Sequence, residues 1–532
     1  MKTKFALTAF ILYTLIGQAQ EAPVKMDSLQ EVIITSTRID LPFKENFRTI
    51  VIISSEDIKN SATTNVADLL QQVAGIDIRR RGTAGSQADI YIRGGSFDQT
   101  LLLIDGIKMD DAQTGHHTMN AALPIEVIER IEIIKGPAAR IFGQNAFTGA
   151  INIVTKKQLK NSVSTNLETG SFGQLNGSLT VGSELENSSH IIHVGKLTSQ
   201  GYRNNSDYNN SNYFIKSVFN KKAQAVEMIA TFFDRKFGAE NFYTTNPAWN
   251  EYEETQNSLI GFTTTFESEK LKIKPRVYWK RNQDMFLLKR NEPNFFRNLH
   301  ITDKMGAEVN ASYSSELGVT GFGVDISKTY IRSNNLGHRN RFMTNVFLEH
   351  QFKLFNNRLD ITPGVAVTYF SDFKFHAFPG LDIGYRLNDH FKIYGNTGYT
   401  YRIPTYTDLF YSDPGTVGNA NLEPEEALSV EIGSKYISPK FTGSFAFFYR
   451  DASSLIDYIK ENETDRFMAT NLRDLYTKGF EINTSYNFKV NNLNQNLSLG
   501  YTYIEDEVGD LNINFSRYSI NSLKHHVTSR LS

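Results

Sequence analysis

The stretch LKIKPRVYWK, residues 271–280, alternates apolar and charged side chains along its whole length. One side of an extended chain carries Leu271, Ile273, Pro275, Val277 and Trp279, and the other carries Lys272, Lys274, Arg276, Tyr278 and Lys280. Successive side chains of a β-strand point to opposite faces, so this pattern predicts a strand with one apolar and one charged face. Pro275 has no amide hydrogen to give to a sheet, which predicts a local interruption such as a bulge.

The same alternation recurs through the second part of the chain, for example in FKIYGNTGYTYR (residues 391–402), FTGSFAFFYR (441–450) and LSLGYTYIED (497–506). The strands of a soluble β-sandwich also alternate, so the lengths of the strands and of the turns between them have to distinguish a sandwich from a membrane barrel. These segments are about ten residues or longer, as tilted membrane-spanning strands require, and short turns alternate with long polar stretches. We count about eighteen such strands between residues 161 and 532.

The composition agrees with a membrane barrel. The 532 residues include 25 Tyr and 38 Phe but only 2 Trp, and 40% of them are hydrophobic. The mean hydropathy of −0.35 is too low for helical membrane spans but fits strands whose lipid-facing and lumen-facing residues alternate. A net charge of −1 gives no reason to expect a nucleic-acid partner, and the absence of Cys excludes disulfides, thiolate metal sites and cysteine nucleophiles.

The first residues are typical of an export signal. Lys2 and Lys4 precede the apolar run FALTAFILYTLIG (residues 5–17), which is followed by small and polar residues. The alternative is a short membrane anchor, but the run is too brief to span a bilayer comfortably. We therefore predict a signal peptide over residues 1–20, followed by a polar periplasmic segment over residues 21–45.

Residues 46–157 have a different character, because short strands mix with helical patterns and glycine turns. Asn65 is a plausible N-cap for a helix that begins at Val66, and Gly75 is a plausible stop after it. LLLIDGIKM (residues 101–109) is typical of a core strand followed by a turn. We predict an α+β domain over 46–157 and a transmembrane antiparallel β-barrel over 158–532, so the fold class is mainly β.

Six motifs occur in an order that resembles the TonB-dependent outer-membrane receptors. They are YIRGG (residues 91–95), LLLIDGIKM, VIERIEIIKGPAARIFGQNAFTGAINIVTKK (127–157), the YTYRIPTYTDLF and NANLEPEE region (399–426), SVEIG (429–433) and TKGFEI (477–482). The resemblance implies that residues 46–157 form a plug inside the lumen of a barrel of about 22 strands in the outer membrane. The chain ends in HHVTSRLS in mid-pattern, so we expect the last strands to be missing.

The resemblance also implies a function. It suggests active import of a bulky scarce nutrient, cobalamin or a related metal complex, with a ferric siderophore or haem as the main alternative. The implied partners are the periplasmic energy-coupling protein TonB, the small metal-complex ligand and outer-membrane lipid, around a monomeric barrel. We expect no catalytic residues, resident metal or cofactor, since no catalytic motif is found. A non-transporting binding or adhesion barrel and an outer-membrane enzyme are the rival classes.

One implied site is the TonB-binding segment EVIIT, formed by Glu31, Val32, Ile33, Ile34 and Thr35. Strand addition to a partner needs an extended, β-branched and loosely held segment, which these residues supply. The alternative is an ordinary first strand of the plug.

A second implied site is a set of ion pairs that locks the plug to the barrel. It comprises Arg93 and Arg130 of the plug with Glu431 and Glu481 of the barrel, at the positions where the family pairs such residues. The alternative is solvated surface charge, which contributes little.

The third implied site is the plug segment DDAQTGHHTMNAAL, residues 110–123, which we expect to face the ligand. Asp110, Asp111, His116 and His117 are the candidate ligand-binding residues, because neutral imidazole can approach an iron or cobalt centre. The alternative is that they are hydrogen-bonding loop residues.

Overall fold

The computed structural model describes residues 33–34, 39, 41–42, 45–82, 85–121, 123–221, 224–244, 246, 249–491, 493–509, 514–517 and 522–532. Within these ranges, no helix has the length and apolar character needed to cross a membrane. The first part of the chain contains short strands and helices, and the second part is almost entirely strand. The predicted mainly β class, an α+β plug followed by a large antiparallel sheet, is confirmed.

The plug is defined as residues 45–155, and its described residues form two sheets. Its strands are β3 (Ile50–Ser54), β4 (Ile76–Arg80), β5 (Ala88–Ile92), β6 (Thr100–Ile104), β7 (Ile107–Lys108), β8 (Ile128–Lys135) and β9 (Gly149–Thr155), preceded by β1 (Ile33–Ile34) and β2 (Leu41–Pro42). Its α-helices are α1 (Ser55–Lys59), α2 (Val66–Gln71) and α3 (Ala139–Phe142), with 3₁₀ turns at Phe97–Gln99, Gly115–Ala121 and Ile125–Val127. A five-stranded sheet has the order β3-β8-β9-β6-β7, and β4 pairs with β5.

Local sequence explains where the plug helices begin. The Ser54 hydroxyl accepts from the Asp57 amide at 3.1 Å and the Asp57 carboxylate accepts from the Ser54 amide at 2.9 Å, which is a capping box. Asn65 caps α2 as predicted, since its side-chain oxygen accepts from the Asp68 amide at 3.0 Å. Behind these helices lies an apolar core that includes Leu70, Leu102 and Ile153, all fully buried. The same cluster includes Phe214 and Leu259 of the barrel, so the apolar core of the plug continues to the barrel wall.

Among the described residues the barrel is one sheet of 21 strands, and 18 of them have seven or more residues, in agreement with the predicted number. They are β10 (Ser162–Gly170), β11 (Gln174–Glu184), β12 (Ser188–Ser199), β13 (Tyr208–Phe219), β14 (Val226–Gly238), β15 (Tyr252–Thr264), β16 (Phe266–Glu267), β17 (Leu271–Leu287), β18 (Arg297–Ser315), β19 (Gly318–Ser333), β20 (Gly337–Leu354), β21 (Leu359–Phe370), β22 (Lys374–Arg386), β23 (Phe391–Arg402), β24 (Thr416–Val417), β25 (Glu425–Ile437), β26 (Phe441–Lys460), β27 (Phe467–Val490), β28 (Leu493–Val508), β29 (Phe515–Ser516) and β30 (His525–Leu531). A short helix, α4 (Tyr406–Phe410), follows β23. The long strands pair antiparallel with their neighbours in chain order, as membrane barrels require.

Alternation along the strands separates an apolar outside from a polar inside. On β19, Phe322, Val324 and Ile326 are about two-fifths exposed, whereas Asp325 between them is buried at 1% exposure. Outward apolar side chains face lipid in this class of barrel, and inward polar ones line the lumen.

The interruption predicted at Pro275 affects one side of β17. Pro275 pairs in regular register with Val309 of β18. On the other side, β15 pairs as far as Arg276 and β16 resumes at Ile273, so Pro275 lies at the break between them. A residue without an amide hydrogen is tolerated where the neighbouring ladder is already open.

The plug fills the bore, because strands around the barrel contribute ion pairs to it. These pairs are Lys216 of β13 with Asp105, Lys304 of β18 with Asp110, Asp325 of β19 with Lys108, Asp382 of β22 with Arg48 and Arg140, Glu431 of β25 with Arg93, and Glu481 of β27 with Lys135. The polar inner wall of the barrel therefore meets a charged outer surface of the plug.

Candidate functional site

A cluster of four charged side chains joins the plug to the barrel. Arg93 follows β5, Lys135 is the last residue of β8, and Glu431 and Glu481 lie on β25 and β27. Arg93 forms ion pairs with both glutamates, at 3.3 Å to Glu481 and closer to Glu431, and Lys135 forms a second pair with Glu481. All four side chains are at most 2% exposed. Two cations and two anions are thus buried together with no net charge.

Neighbouring groups complete the cluster. The Thr49 hydroxyl donates to Glu431 at 2.7 Å, the Asn483 amide donates to Glu481 at 2.7 Å, and the Arg93 guanidinium lies 4.4 Å from the centre of the Phe448 ring. These contacts satisfy carboxylate oxygens that burial has removed from water. The ring adds a cation–π contact to the guanidinium.

The backbone at Arg93 is strained. Its φ of 46° lies in the left-handed region, which residues other than glycine rarely adopt, and its amide donates to the carbonyl of Gly75 at 2.9 Å. Gly75 also has a left-handed φ of 77°, and a Cβ there would approach the Glu481 carboxylate to 2.7 Å. This turn brings the Arg93 side chain to the barrel wall at a conformational cost that the surrounding contacts must offset.

Burial and charge act against each other within the cluster. Burial alone lowers the pKa of Arg93, but the carboxylates of Glu431 and Glu481 outweigh it and raise the pKa above its usual range. Burial lowers the pKa of Lys135, and the Arg93 charge lowers it further, although Glu481 opposes both effects. Desolvation therefore offsets part of the attraction within the cluster.

Arg130 does not join this cluster. It lies five residues from Lys135 along β8, about 17 Å away at the rise of a strand, and its guanidinium pairs with Glu132 at 2.7 Å. Lys135, which we did not predict, contacts Glu481 instead. Lys135 follows Ile133 and Ile134 in a strand that is largely buried, and a buried ammonium needs a partner, so this placement was a signal in the sequence.

Asp110 and Asp111 lie at the junction of the plug and the barrel wall. The Lys304 ammonium donates to Asp110 at 2.8 Å. Burial alone raises the pKa of Asp110, but Lys304 and Lys280 outweigh it and hold the pKa at about 2. Asp111 accepts from the Gln113 amide at 2.8 Å. Both aspartates border a polar cleft that is also lined by Ala112, Gln144, Asn145, Lys304, Ser327, Thr329, Arg341, Met343, Phe370, Ile403, Pro404 and Thr405.

His116 packs inside the plug. Its Nδ1 is 3.0 Å from the Asp89 carboxylate, and its ring stacks on Phe97 with 3.8 Å between ring centres. Burial lowers the pKa of His116, although Asp89 opposes this effect. The side chain is held between an aromatic ring and a carboxylate.

His117 turns the other way, towards the barrel wall. Its Nε2 is 3.2 Å from Asp284 of β17, and its Nδ1 is 2.8 Å from the Asn120 amide group. Burial alone lowers the pKa of His117, but the carboxylates of Asp284 and Glu253 raise it to about 9. Glu253 and Asp284, which we did not predict, lie more than 130 residues from His117 in the sequence and meet it only through folding.

The predicted TonB-binding segment is described only at its centre. Ile33 and Ile34 form β1, which pairs antiparallel with Pro42 and Leu41 of β2. Ile34 is fully buried in an apolar cluster that includes Leu101 of the plug and Ile437 of the barrel. Glu31, Val32 and Thr35 lie outside the described residues.

Two family models match the chain. The model of the TonB-dependent Receptor Plug Domain matches residues 44–150, and the model described as TonB dependent receptor-like, beta-barrel matches residues 144–530. The second match alone covers more than half of the 532 residues.

The chain is similar to curated vitamin B12 transporters. A vitamin B12 transporter BtuB of Vibrio vulnificus is 24% identical over 451 residues, which cover 80% of this chain and 69% of that protein. A vitamin B12 transporter BtuB of Vibrio cholerae is 22% identical over 488 residues, which cover 86% of this chain and 75% of that protein.

Solved structures share the architecture. The siderophore receptor PirA from Acinetobacter baumannii has a TM-score of 0.70 at 16% identity, and the match covers 86% of this chain and 80% of that one. The FrpB iron transporter from Neisseria meningitidis has a TM-score of 0.71 at 15% identity, covering 87% and 80%. At these identities the likeness establishes the fold alone.

Proposed function

The chain belongs to the TonB-dependent receptors, a family of outer-membrane β-barrel proteins, and from this premise we propose that it actively imports cobalamin or a related metal complex across the outer membrane. One observation carries the proposal: the plug fills the bore and is held there by charged contacts. A passive pore needs an open lumen, so passage of a bulky ligand here requires the plug to move. The protein is a transporter in this proposal, and no bond chemistry is assigned to it.

In the proposed mechanism, energy enters through the segment Glu31–Thr35, which pairs with TonB by strand addition. In this structure Ile33 and Ile34 are already extended, and among the described residues they pair with Pro42 and Leu41 of β2. Pairing with a partner exchanges this antiparallel ladder for another and withdraws the buried Ile34 side chain from its apolar cluster.

Arg93, Lys135, Glu431 and Glu481 are proposed to hold the plug in register until TonB pulls. Their mutual attraction is offset by desolvation, so they fix geometry without making the plug immovable. Arg130 has no part in this lock, because it pairs within the plug.

The ligand is proposed to meet the plug at the segment that carries Asp110, Asp111, His116 and His117. All four side chains are engaged by neighbours in this structure, so ligand contact requires that some of these neighbours be displaced. Cobalamin is favoured by the curated relatives, and a ferric siderophore or haem is the alternative ligand.

Deletion of Glu31–Thr35 tests the proposal in intact cells that produce the protein. We expect labelled cobalamin to bind at the cell surface as in the wild type, while its accumulation falls to the background level. Deletion of Lys25–Leu29 removes the same number of residues from the preceding polar stretch and should leave accumulation unchanged. Equal accumulation by both deletion variants would contradict energised import, and it is the result expected of an adhesion barrel. Binding of ferric siderophores in place of cobalamin would assign the alternative ligand.

A further inference from the structure

Three side chains that can ligate a metal meet where the plug touches the barrel. His117 comes from the 3₁₀ turn Gly115–Ala121 of the plug, Glu253 from β15 and Asp284 from β17. One ligating atom from each of the three lies within 4.8 Å of the other two. The side chains are buried, at 5%, 1% and 6% exposure respectively. In the described part of the chain, this group therefore has the composition and spacing of a metal site.

In each of the two carboxylates, one oxygen accepts a hydrogen bond. Asp284 Oδ2 accepts from the side-chain amide Nε2 of Gln113 at 2.7 Å, and Glu253 Oε2 accepts from the Tyr243 hydroxyl at 3.1 Å. The remaining oxygens, Asp284 Oδ1 and Glu253 Oε1, are buried and have no hydrogen-bond partner among the residues that the structure describes. A buried carboxylate oxygen without a hydrogen bond lowers the stability of the fold, and a bound cation offsets this cost.

The imidazole is already oriented towards the carboxylates. The Asn120 amide group lies 2.8 Å from His117 Nδ1 and fixes the ring so that Nε2 faces Asp284. Metal-binding histidines commonly donate from their second nitrogen, so for Nε2 to bind a metal the ring proton must lie on Nδ1 and the Asn120 side chain must turn its amide oxygen towards it. Within the described residues, Oδ2 of Asp111, in the same segment of the plug, is also buried without a hydrogen-bond partner.

We propose that His117, Glu253 and Asp284 bind one divalent transition-metal ion, for which Zn²⁺ is the reference, between the plug and the barrel wall. One imidazole nitrogen with carboxylate oxygens suits Zn²⁺ and its first-row neighbours, whereas Ca²⁺ and Mg²⁺ prefer oxygen ligands throughout. Ligands about 2.0–2.1 Å from a tetrahedral ion are roughly 3.3 Å apart. His117 Nε2 and Asp284 Oδ2 are 3.2 Å apart, close to this spacing, so an ion between the imidazole and the Asp284 carboxylate replaces their direct contact with little movement.

The bound ion tethers the plug segment to β15 and β17. A metal ligand must be a neutral imidazole, so binding displaces the proton that the two carboxylates stabilise on His117. This site goes beyond the imported ligand, because the ion is held by the protein at a plug–barrel contact and needs neither TonB nor a metal complex.

The test titrates the purified full-length protein in detergent with Zn²⁺ alone. We expect one tight site per chain by calorimetry, and His117→Gln and Glu253→Gln should each weaken binding by at least about tenfold. His193→Gln is the matched control, because His193 is a buried histidine of β12 that contacts Thr180 at 2.8 Å. Saturating Zn²⁺ should also raise the unfolding temperature of the wild type but not of Glu253→Gln.

A zinc X-ray absorption spectrum of the wild type decides the question even if a variant fails to fold. A spectrum that shows one imidazole and otherwise oxygen ligands supports the site. The absence of saturable Zn²⁺ binding, a spectrum without imidazole, or variants that bind as the wild type does would overturn it. These measurements contain no TonB and no cobalamin, so their failure is distinct from failure of the proposed import.

Discussion

The plug and the barrel bury opposite kinds of side chain. In the plug, Leu102 and Ile153 are fully buried inside and charged residues cover the outside, as in a water-soluble domain. In the barrel, Ile432 points outward at 64% exposure, while its neighbour Glu431 points inward at 1%. The two regions therefore meet through charged pairs, and also through apolar patches such as the cluster of Phe147 of the plug with Ala427 and Leu475 of the barrel.

This contrast explains how one chain can hold a domain firmly and still release it. The apolar patches shared by the plug and the barrel hold the plug by a hydrophobic term, roughly 25 cal/mol for each Å² of buried apolar surface. Ion pairs buried at the interface add positional precision with a smaller net stabilisation, because desolvation offsets part of their attraction. The charged part of the interface is thus the part suited to rearrangement under a pull.

Arg93→Glu should give the largest effect, because it disrupts the buried ion pairs between the plug and the barrel. The substitution places a third carboxylate beside Glu431 and Glu481 and leaves buried charges uncompensated, at a cost of about 3–5 kcal/mol. We expect the plug to loosen, which should increase its proteolysis in the purified protein and make cells more sensitive to detergent and to bulky antibiotics.

Arg79→Glu is the matched control for this prediction. Arg79 is also an arginine of the plug, but it is 36% exposed and pairs with Asp77 of its own strand. Exposed pairs contribute about 0–1 kcal/mol, so this variant should resemble the wild type. Similar sensitivity of the wild type and Arg93→Glu would contradict the proposed role of Arg93 as a lock.

Ile432→Arg tests the other side of the same strand. Ile432 lies beyond the middle of β25 on the outer face, where a charged residue at the membrane midplane costs about 2–4 kcal/mol. We expect less efficient insertion into lipid vesicles and a lower urea midpoint for barrel unfolding. Ile432→Leu keeps the apolar contact and should insert normally. Equal insertion of the two variants would mean that this face of β25 does not contact lipid.

Sequence alone could predict the features that depend on neighbouring residues. The period of two in residues 271–280 predicts the inner and outer faces of β17, and Asn65 before an apolar helical pattern predicts the start of α2. The number of long strands followed in the same way. Each of these signals is contained within one strand or one helix, so it does not depend on how distant segments meet.

The sites depend on how distant segments meet, and here sequence was less informative. The family resemblance places Arg93 opposite Glu431 and Glu481, and the structure brings these three together. Arg130 and Lys135 lie on the same strand, but the rotation and depth of the plug decide that Lys135 contacts Glu481. No local pattern links His117 to Glu253 and Asp284, because two separate barrel strands supply the carboxylates.

Asn65→Ala should give the smallest effect, and it asks whether the plug follows the rules of a water-soluble domain inside a membrane protein. The Asn65 side chain accepts a hydrogen bond from the Asp68 amide, and loss of such a cap typically costs about 1 kcal/mol of helix stability. We expect faster amide hydrogen exchange in Val66–Gln71 of the full-length protein, with the amides of the barrel strands unaffected. Asn65→Ser restores a capping oxygen, and exchange in α2 should therefore return nearly to the wild-type rate. Unchanged exchange in Asn65→Ala would show that packing against the plug core, and not the cap, determines when α2 opens; faster exchange in the barrel strands as well would show that the plug and the barrel open as one unit.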